Sequence, residues 1–119
     1  MADRLLFISW GNPVRGLEER SLEVFNEALG FYGRLQQEGR IESLEVVLLA
    51  PNGTLGGYIE LRGSAAQLAA AREDPLFRRL IVDAGMIVDD LRLADGYCNE
   101  GVAEAMGIFR EALAGLPQR

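Results

Sequence analysis

Two groups of side chains have types and spacing that could do chemistry. In Trp10-Gly11-Asn12-Pro13-Val14-Arg15, an indole, an amide and a guanidinium follow directly on the apolar run 5–10. An indole at a strand end can stack on a planar ligand, Asn12 can hydrogen-bond a carbonyl or hydroxyl, and Arg15 can clamp a carboxylate. The plainer alternative is a strand-to-helix turn with a packed Trp, Asn-Pro as turn residues and a solvated Arg. The second group is Tyr58, Glu60 and Arg62, which alternate with Gly57, Ile59 and Leu61 and so share one face of a strand. With Glu45 and Arg92 on neighbouring strands, they could place an acid or base, Tyr58 or Glu60, beside an anion site. A solvated or ion-paired sheet face, or polar contacts between two copies, accounts for the same residues without catalysis.

What the 119 residues omit narrows the chemistry further. There is no His and no Lys, so all 12 basic residues are Arg, and there is one cysteine. Ser-His-Asp and Cys-His relays lack their imidazole, Schiff-base and pyridoxal phosphate sites lack their amine, and a Cys/His zinc site has a single thiol. No cofactor is therefore expected, neither haem, flavin, pyridoxal phosphate nor zinc. Glu18-Glu19 and Asp89-Asp90 are adjacent pairs whose side chains diverge on a helix, which argues against chelation. Gly53, Gly56, Gly57 and Gly63 match no phosphate-loop spacing. Cys98 reads as a small buried apolar residue.

The net charge of −6 and the dispersal of the arginines, with Arg78-Arg79 the only adjacent pair, argue against a nucleic-acid partner. The apolar runs are strand-sized, so no membrane span is expected. The N-terminal residues lack a secretory pattern and the single Cys suits a reducing compartment, which makes a cytoplasmic location the expectation.

These side chains need elements to position them. Residues 5–10 read as a buried strand stopped by Gly11-Asn12-Pro13. Leu22, Phe25, Leu29, Tyr32 and Leu35 recur at helical spacing through about 17–37. Gly30 and Gly33 inside that helix imply local weakness or close approach of another backbone. Residues 41–50 and 55–62 read as two strands joined around Asn52-Gly53. Ser64 caps a helix over 65–72, which breaks at Glu73-Asp74-Pro75. Asp74 then caps a second segment carried to about 90 by Phe77, Leu80, Ala84, Val88 and Leu91. A short strand over 91–98 and a last helix, N-capped by Asn99 with Val102, Met106, Phe109, Leu113 and Leu116 on one stripe, complete the chain. The composition and the lack of a linker fit one domain over 1–119.

The order β-α-β-β-α-β, with a broken second helix and an extra C-terminal helix, is α+β and packs most simply as a ferredoxin-like antiparallel sheet. Helices would cover one face, leaving the other to a second copy of the chain, with Trp10 and Tyr58 expected on that uncovered face.

In its element order, its helix broken at Glu73-Asp74-Pro75-Leu76-Phe77 and its Gly63-Ser64 strand exit, nearly the whole chain resembles the dimeric α+β barrel superfamily. Its small members of unknown function are nearest. The resemblance implies two ferredoxin-like sheets packed into a barrel around a small-molecule pocket. The group includes cofactor-independent monooxygenases of antibiotic biosynthesis, muconolactone isomerase, haem-degrading enzymes and YCII-like proteins. The histidine that the last two need is absent here. The monooxygenases use Trp, Asn and Tyr around an aromatic substrate, and Trp10, Asn12 and Tyr58 are residues of those types. The resemblance thus implies a homodimeric small-molecule-binding protein or cofactor-free enzyme of oxygenase or isomerase type. Its expected ligand is planar or anionic, bound by Trp10, Asn12, Arg15, Glu45, Arg62 and Arg92 with Tyr58 and Glu60 as the catalytic pair. A non-catalytic dimerisation or interaction module is the alternative.

Overall fold

The computed structural model describes residues 1–117. Its elements are β1 (Arg4–Trp10), α1 (Glu18–Gln37), β2 (Ser43–Leu48), β3 (Gly57–Gly63), α2 (Ala65–Glu73), α3 (Pro75–Ile87), β4 (Arg92–Tyr97) and α4 (Glu100–Ala114). The four strands form one antiparallel sheet in the order β2-β3-β1-β4. The apolar β1 lies at its centre, flanked by β3 and β4. Helices α1, α2 and α3 cover one face. The core between them includes Leu6 and Ile8 of β1, Ile59 and Leu61 of β3, Leu35 of α1 and Leu80 of α3.

Register fixes which side chains share a face. Leu6 lies opposite Leu61 and Ile8 opposite Ile59, and all four point at the helices. By the period-two rule Leu5, Phe7 and Ser9 of β1, Tyr58, Glu60 and Arg62 of β3, and Glu45 and Val47 of β2 point the other way. The parity anticipated in β3 is thus observed, with Gly57, Ile59 and Leu61 buried and Tyr58, Glu60 and Arg62 half-buried. Trp10 departs from expectation. It pairs with Gly57 and lies on the helix side, not with Tyr58 on the uncovered face.

The expected barrel is not formed. The sheet is open, with β2 and β4 as its two edges, and four strands whose outer members never meet cannot close on themselves. The fold is ferredoxin-like without barrel closure.

Other local expectations shift for identifiable reasons. Helix α3 ends at Ile87 instead of near Asp90, because Val88 is extended, bridges to Pro13 and is followed by Asp90 at φ 55°. Asn99 stands at the N-cap position of α4 as expected, but its side chain makes no capping bond. It sits at φ 51° and donates from Nδ2 to the Ala2 carbonyl at 2.7 Å. No foreign backbone approaches Gly30 or Gly33, which face open space or the outer end of Arg34. The β2–β3 connection is longer than a tight hairpin, and the Asn52 side chain organises it by bonding to Ala50 O, Leu55 O and the amides of Thr54 and Leu55. Cys98 is buried and free, as anticipated.

The helix break is built as the sequence implies. Ser64 and Gln67 form a reciprocal capping box on α2. The Asp74 carboxylate accepts from Leu76 N at 2.9 Å and from Arg40 Nη2 at 2.8 Å, with Pro75 in the first turn of α3. The Arg40 bond, seconded by the backbone amide, holds the Asp74 carboxyl below its ordinary range. A carboxyl lowered in the folded state stabilises above its unfolded pKa, and that contribution is lost as pH falls through the folded value. Asp74→Ala should therefore cost about 1 kcal/mol at neutral pH. In urea melts its deficit relative to the parent should shrink below about pH 4. A deficit independent of pH would contradict the assignment.

Candidate functional site

A cavity of about 400 Å³ lies between the sheet and helices α1 and α3. Ile8, Trp10 and Ile59 form its floor. Phe25, Ala28 and Tyr32 of α1 make one wall, and Ile81, Ala84 and Ile87 of α3 the other. Its volume is within the range of small-molecule sites, and its lining is almost wholly apolar.

Local sequence explains why space remains here. Ala28 of α1 and Ala84 of α3 contribute only methyl groups to the lining. Trp10 lies against the small pair Gly56-Gly57, since a Cβ on either residue would sit 3.0 Å from the indole. Its ring meets Phe25 edge-on, with centroids 5.7 Å apart at 63°. Beside the lining residues Pro13, Ile87 and Val88, the loop after β1 is tied to the segment after α3. Val14 N donates to Ile87 O at 2.8 Å, Asp89 N to Asn12 O at 2.8 Å and Gly11 N to Asp89 O at 2.7 Å. Ser21 Oγ adds a bond to Ile87 O at 3.1 Å.

Inside this lining Tyr32 stands out. The residue as a whole is 2% exposed, and since no buried side-chain polar atom among the described residues lacks a partner, a hydroxyl with no protein partner must open onto the cavity. Burial pushes the phenol pKa up from its ordinary value, so at neutral pH the group is a protonated donor and not a base. Glu18 is the sole charged residue of the lining, and no arginine reaches it.

The anticipated site residues fall into three places. Trp10 lines the cavity. Asn12 and Arg15 lie exposed on the loop after β1, where Asn12 contributes through its backbone carbonyl, which accepts from Asp89 N. Tyr58, Glu60, Arg62 and Glu45 lie together on the uncovered sheet face, joined by Arg92, whose partner in register is Ser9. There Arg62 Nη2 donates to Glu60 at 2.9 Å, and this bond raises the already high arginine pKa despite partial desolvation. Tyr58 stacks on Phe7 with centroids 5.2 Å apart. The sheet therefore separates Trp10 from Tyr58 and Arg62, and one ligand cannot touch all three within a single copy. Sequence reasoning did not single out Phe25, Ala28, Tyr32, Ile81 and Ala84 as a site. Phe25, Tyr32 and Ala84 lay on periodic stripes, but such stripes carry the same signal for a packed core and a cavity wall.

Among the described residues no cluster of three or more acidic or cysteine side chains could hold a metal, and no helix is long and apolar enough to cross a membrane.

No family model matches the chain, and no curated protein matches its sequence. Solved structures similar in fold include the following two. One is a dimeric protein of unknown function with a ferredoxin-like fold from Bacteroides fragilis NCTC 9343, with a TM-score of 0.60 and 14% identity, over 80% of this chain and 96% of that one. The other is SnoaB, a cofactor-independent oxygenase from Streptomyces nogalater, with a TM-score of 0.51 and 15% identity, over 82% of this chain and 93% of that one. At such identities the likeness establishes the ferredoxin-like fold alone.

Proposed function

We propose that the protein binds a small, largely apolar and uncharged molecule in the cavity between its sheet and helices α1 and α3, and works as a homodimer. The observation that carries this reading is the cavity of about 400 Å³, whose lining is apolar apart from Glu18, Ser21 and the Tyr32 hydroxyl. Burying a ligand's apolar surface supplies the affinity, Trp10 and Phe25 offer ring faces, and Tyr32 donates to one ligand oxygen. An anionic ligand is disfavoured, because the lining presents Glu18 and no cation. Any catalysis would be of the cofactor-free kind, with the buried phenol polarising a ligand carbonyl; the fold it shares with an oxygenase is compatible with that.

The test is titration with N-phenyl-1-naphthylamine, a neutral fluorescent probe, read by Trp10 emission and melting temperature. Saturable quenching with a raised melting temperature is expected, and neither effect appearing would reject the cavity as a site. Tyr32→Phe should leave stability within about 0.5 kcal/mol, because no internal bond is lost. It should weaken ligands bearing a carbonyl by roughly tenfold relative to their hydrocarbon counterparts. Equal losses for both ligand types would remove the donor role.

The interaction-module alternative is favoured by a separate observation, the uncovered sheet face. Phe7, Tyr58, Val47 and Leu5 there are half-buried, with no helix above them. That face needs a cover, and a second copy is the simplest one. Tyr58, Glu60 and Arg62 then become interface residues, and any acid-base role for Tyr58 and Glu60 would belong to the assembled dimer.

A further inference from the structure

The cavity has an inner and an outer end, and the elements around it place those ends alike. On the sheet, Ile8 pairs with Ile59, and Trp10, Gly57 and Leu48 form the next row on the helix side. Pro13, which follows Trp10, bridges to Val88 after α3, and Ser21 Oγ near the start of α1 bonds to Ile87 O. The Trp10 row, the start of α1 and the end of α3 therefore meet at one end. At the other, Tyr32 of α1 lies near Phe77 of α3, with ring centroids 6.3 Å apart. Exposure follows the same axis. Ile8, Tyr32, Ile59 and Leu80 are no more than 4% exposed, whereas Leu22 and Leu48 are 65% and 66% exposed while still lining the cavity. Because the Ser21 bond already ties α1 to α3 at the outer end, the opening lies between α1 and the edge strand β2. From Leu22 to Tyr32 the helix rises about 15 Å.

We propose that the cavity selects a chain-shaped neutral molecule, an unbranched apolar chain with one carbonyl oxygen at the end that enters first. Tyr32 holds the oxygen, and the tail leaves between Leu22 and Leu48. This rests on the small-molecule reading above and narrows its ligand class. Shape favours a chain. Single exposed leucines are ordinary on a protein surface, but these two border one opening. A compact ligand that reached Tyr32 would leave both bare, whereas a chain running the length of the cavity covers them. Polarity fixes the direction. The phenol lies at the buried end without a protein partner, so a ligand acceptor gains most there, while an oxygen left at the mouth would only exchange one water contact for another. A carboxylate head is disfavoured, because no cation lines the cavity and Glu18 stands at the outer end. The class is therefore long-chain ketones, aldehydes and their like, not the corresponding acids.

Calorimetric titration with a series of 2-alkanones, from 2-hexanone to 2-dodecanone, tests the chain. Affinity should rise about fourfold with each methylene, the gain for burying one, and level off once the chain reaches the mouth. 2-Decanone should bind at least about tenfold more tightly than 2-adamantanone, a compact ketone with the same number of carbons. Leu22→Gln and Leu48→Gln change exposed positions and should fold like the parent. Each should weaken 2-undecanone about fivefold and leave 2-hexanone unaffected, since the short chain ends before the mouth. Three results would each overturn the proposal: affinity that does not grow with chain length, 2-adamantanone binding as well as 2-decanone, or equal losses for the short and long ketones in the Gln variants. If N-phenyl-1-naphthylamine still saturates the protein in those cases, the small-molecule reading survives without the chain. If the ketones and the naphthylamine all fail to bind, both fall.

Discussion

Ala28→Phe should weaken binding of a neutral apolar probe at least about 100-fold while leaving the protein as stable as the parent, or more so. Ala28 lines the cavity from α1, as Ile81 and Ala84 do from α3. A benzyl group there enters space that is empty, in contrast to the usual overpacking of a dense core, which costs about 1–3 kcal/mol. It buries its own ring against Trp10, Tyr32 and Ile59, where a ligand ring would otherwise lie. Binding and stability should therefore move in opposite directions. The measurement is a paired one: probe fluorescence for affinity and urea denaturation for stability. A variant that binds the probe like the parent would show that the cavity is not the site. A variant that loses binding only because it unfolds would show that the wall cannot accept a larger residue. In that case Ala84→Leu, from the opposite wall, is the discriminating second substitution.

Much of this architecture could be read from the chain, and the misplaced parts have physical causes. β3 announces its faces because Tyr58, Glu60 and Arg62 alternate with residues that are small or apolar. β1 does not, because Leu5 to Ile8 are apolar on both sides. A central strand between a core and an uncovered face gives no parity signal, so Trp10 could be assigned to a face only by its register against Gly57. Helix α4 shows the same limit at another level. Its stripe of Val102, Met106, Phe109 and Leu113 reads as core-facing, but periodicity says only that a helix has an apolar side, not which molecule supplies the surface. Barrel closure came from resemblance, whereas strand count and edge positions decide it. Asp74, Pro75 and Ser64 were legible because capping is local chemistry, complete within four residues, whereas the part of Gln67 in the Ser64 capping box was not anticipated.

The second large effect concerns Gly57, where Gly57→Ala should lower stability by about 3 kcal/mol, or the melting temperature by roughly 10 °C. Its backbone is ordinary strand, so the constraint is space and not conformation. A Cβ there would collide with the Val47 carbonyl oxygen and stand 3.0 Å from Trp10 Cζ2. The carbonyl belongs to the neighbouring strand and cannot yield without disturbing the β2–β3 pairing. The indole can yield only by moving into the cavity, away from its edge contact with Phe25. Trp10 emission should therefore change together with stability, which a general weakening of the sheet would not require. Gly33→Ala is the matched control. Nothing stands within 4 Å of its added methyl on the outer side of α1, so replacing a helical glycine should stabilise by about 1 kcal/mol. The two glycines thus predict opposite signs from the same substitution. If Gly57→Ala proves neutral, with unaltered Trp emission, the indole is not held flat against β3, and the cavity floor drawn from Trp10 and Ile59 must be redrawn.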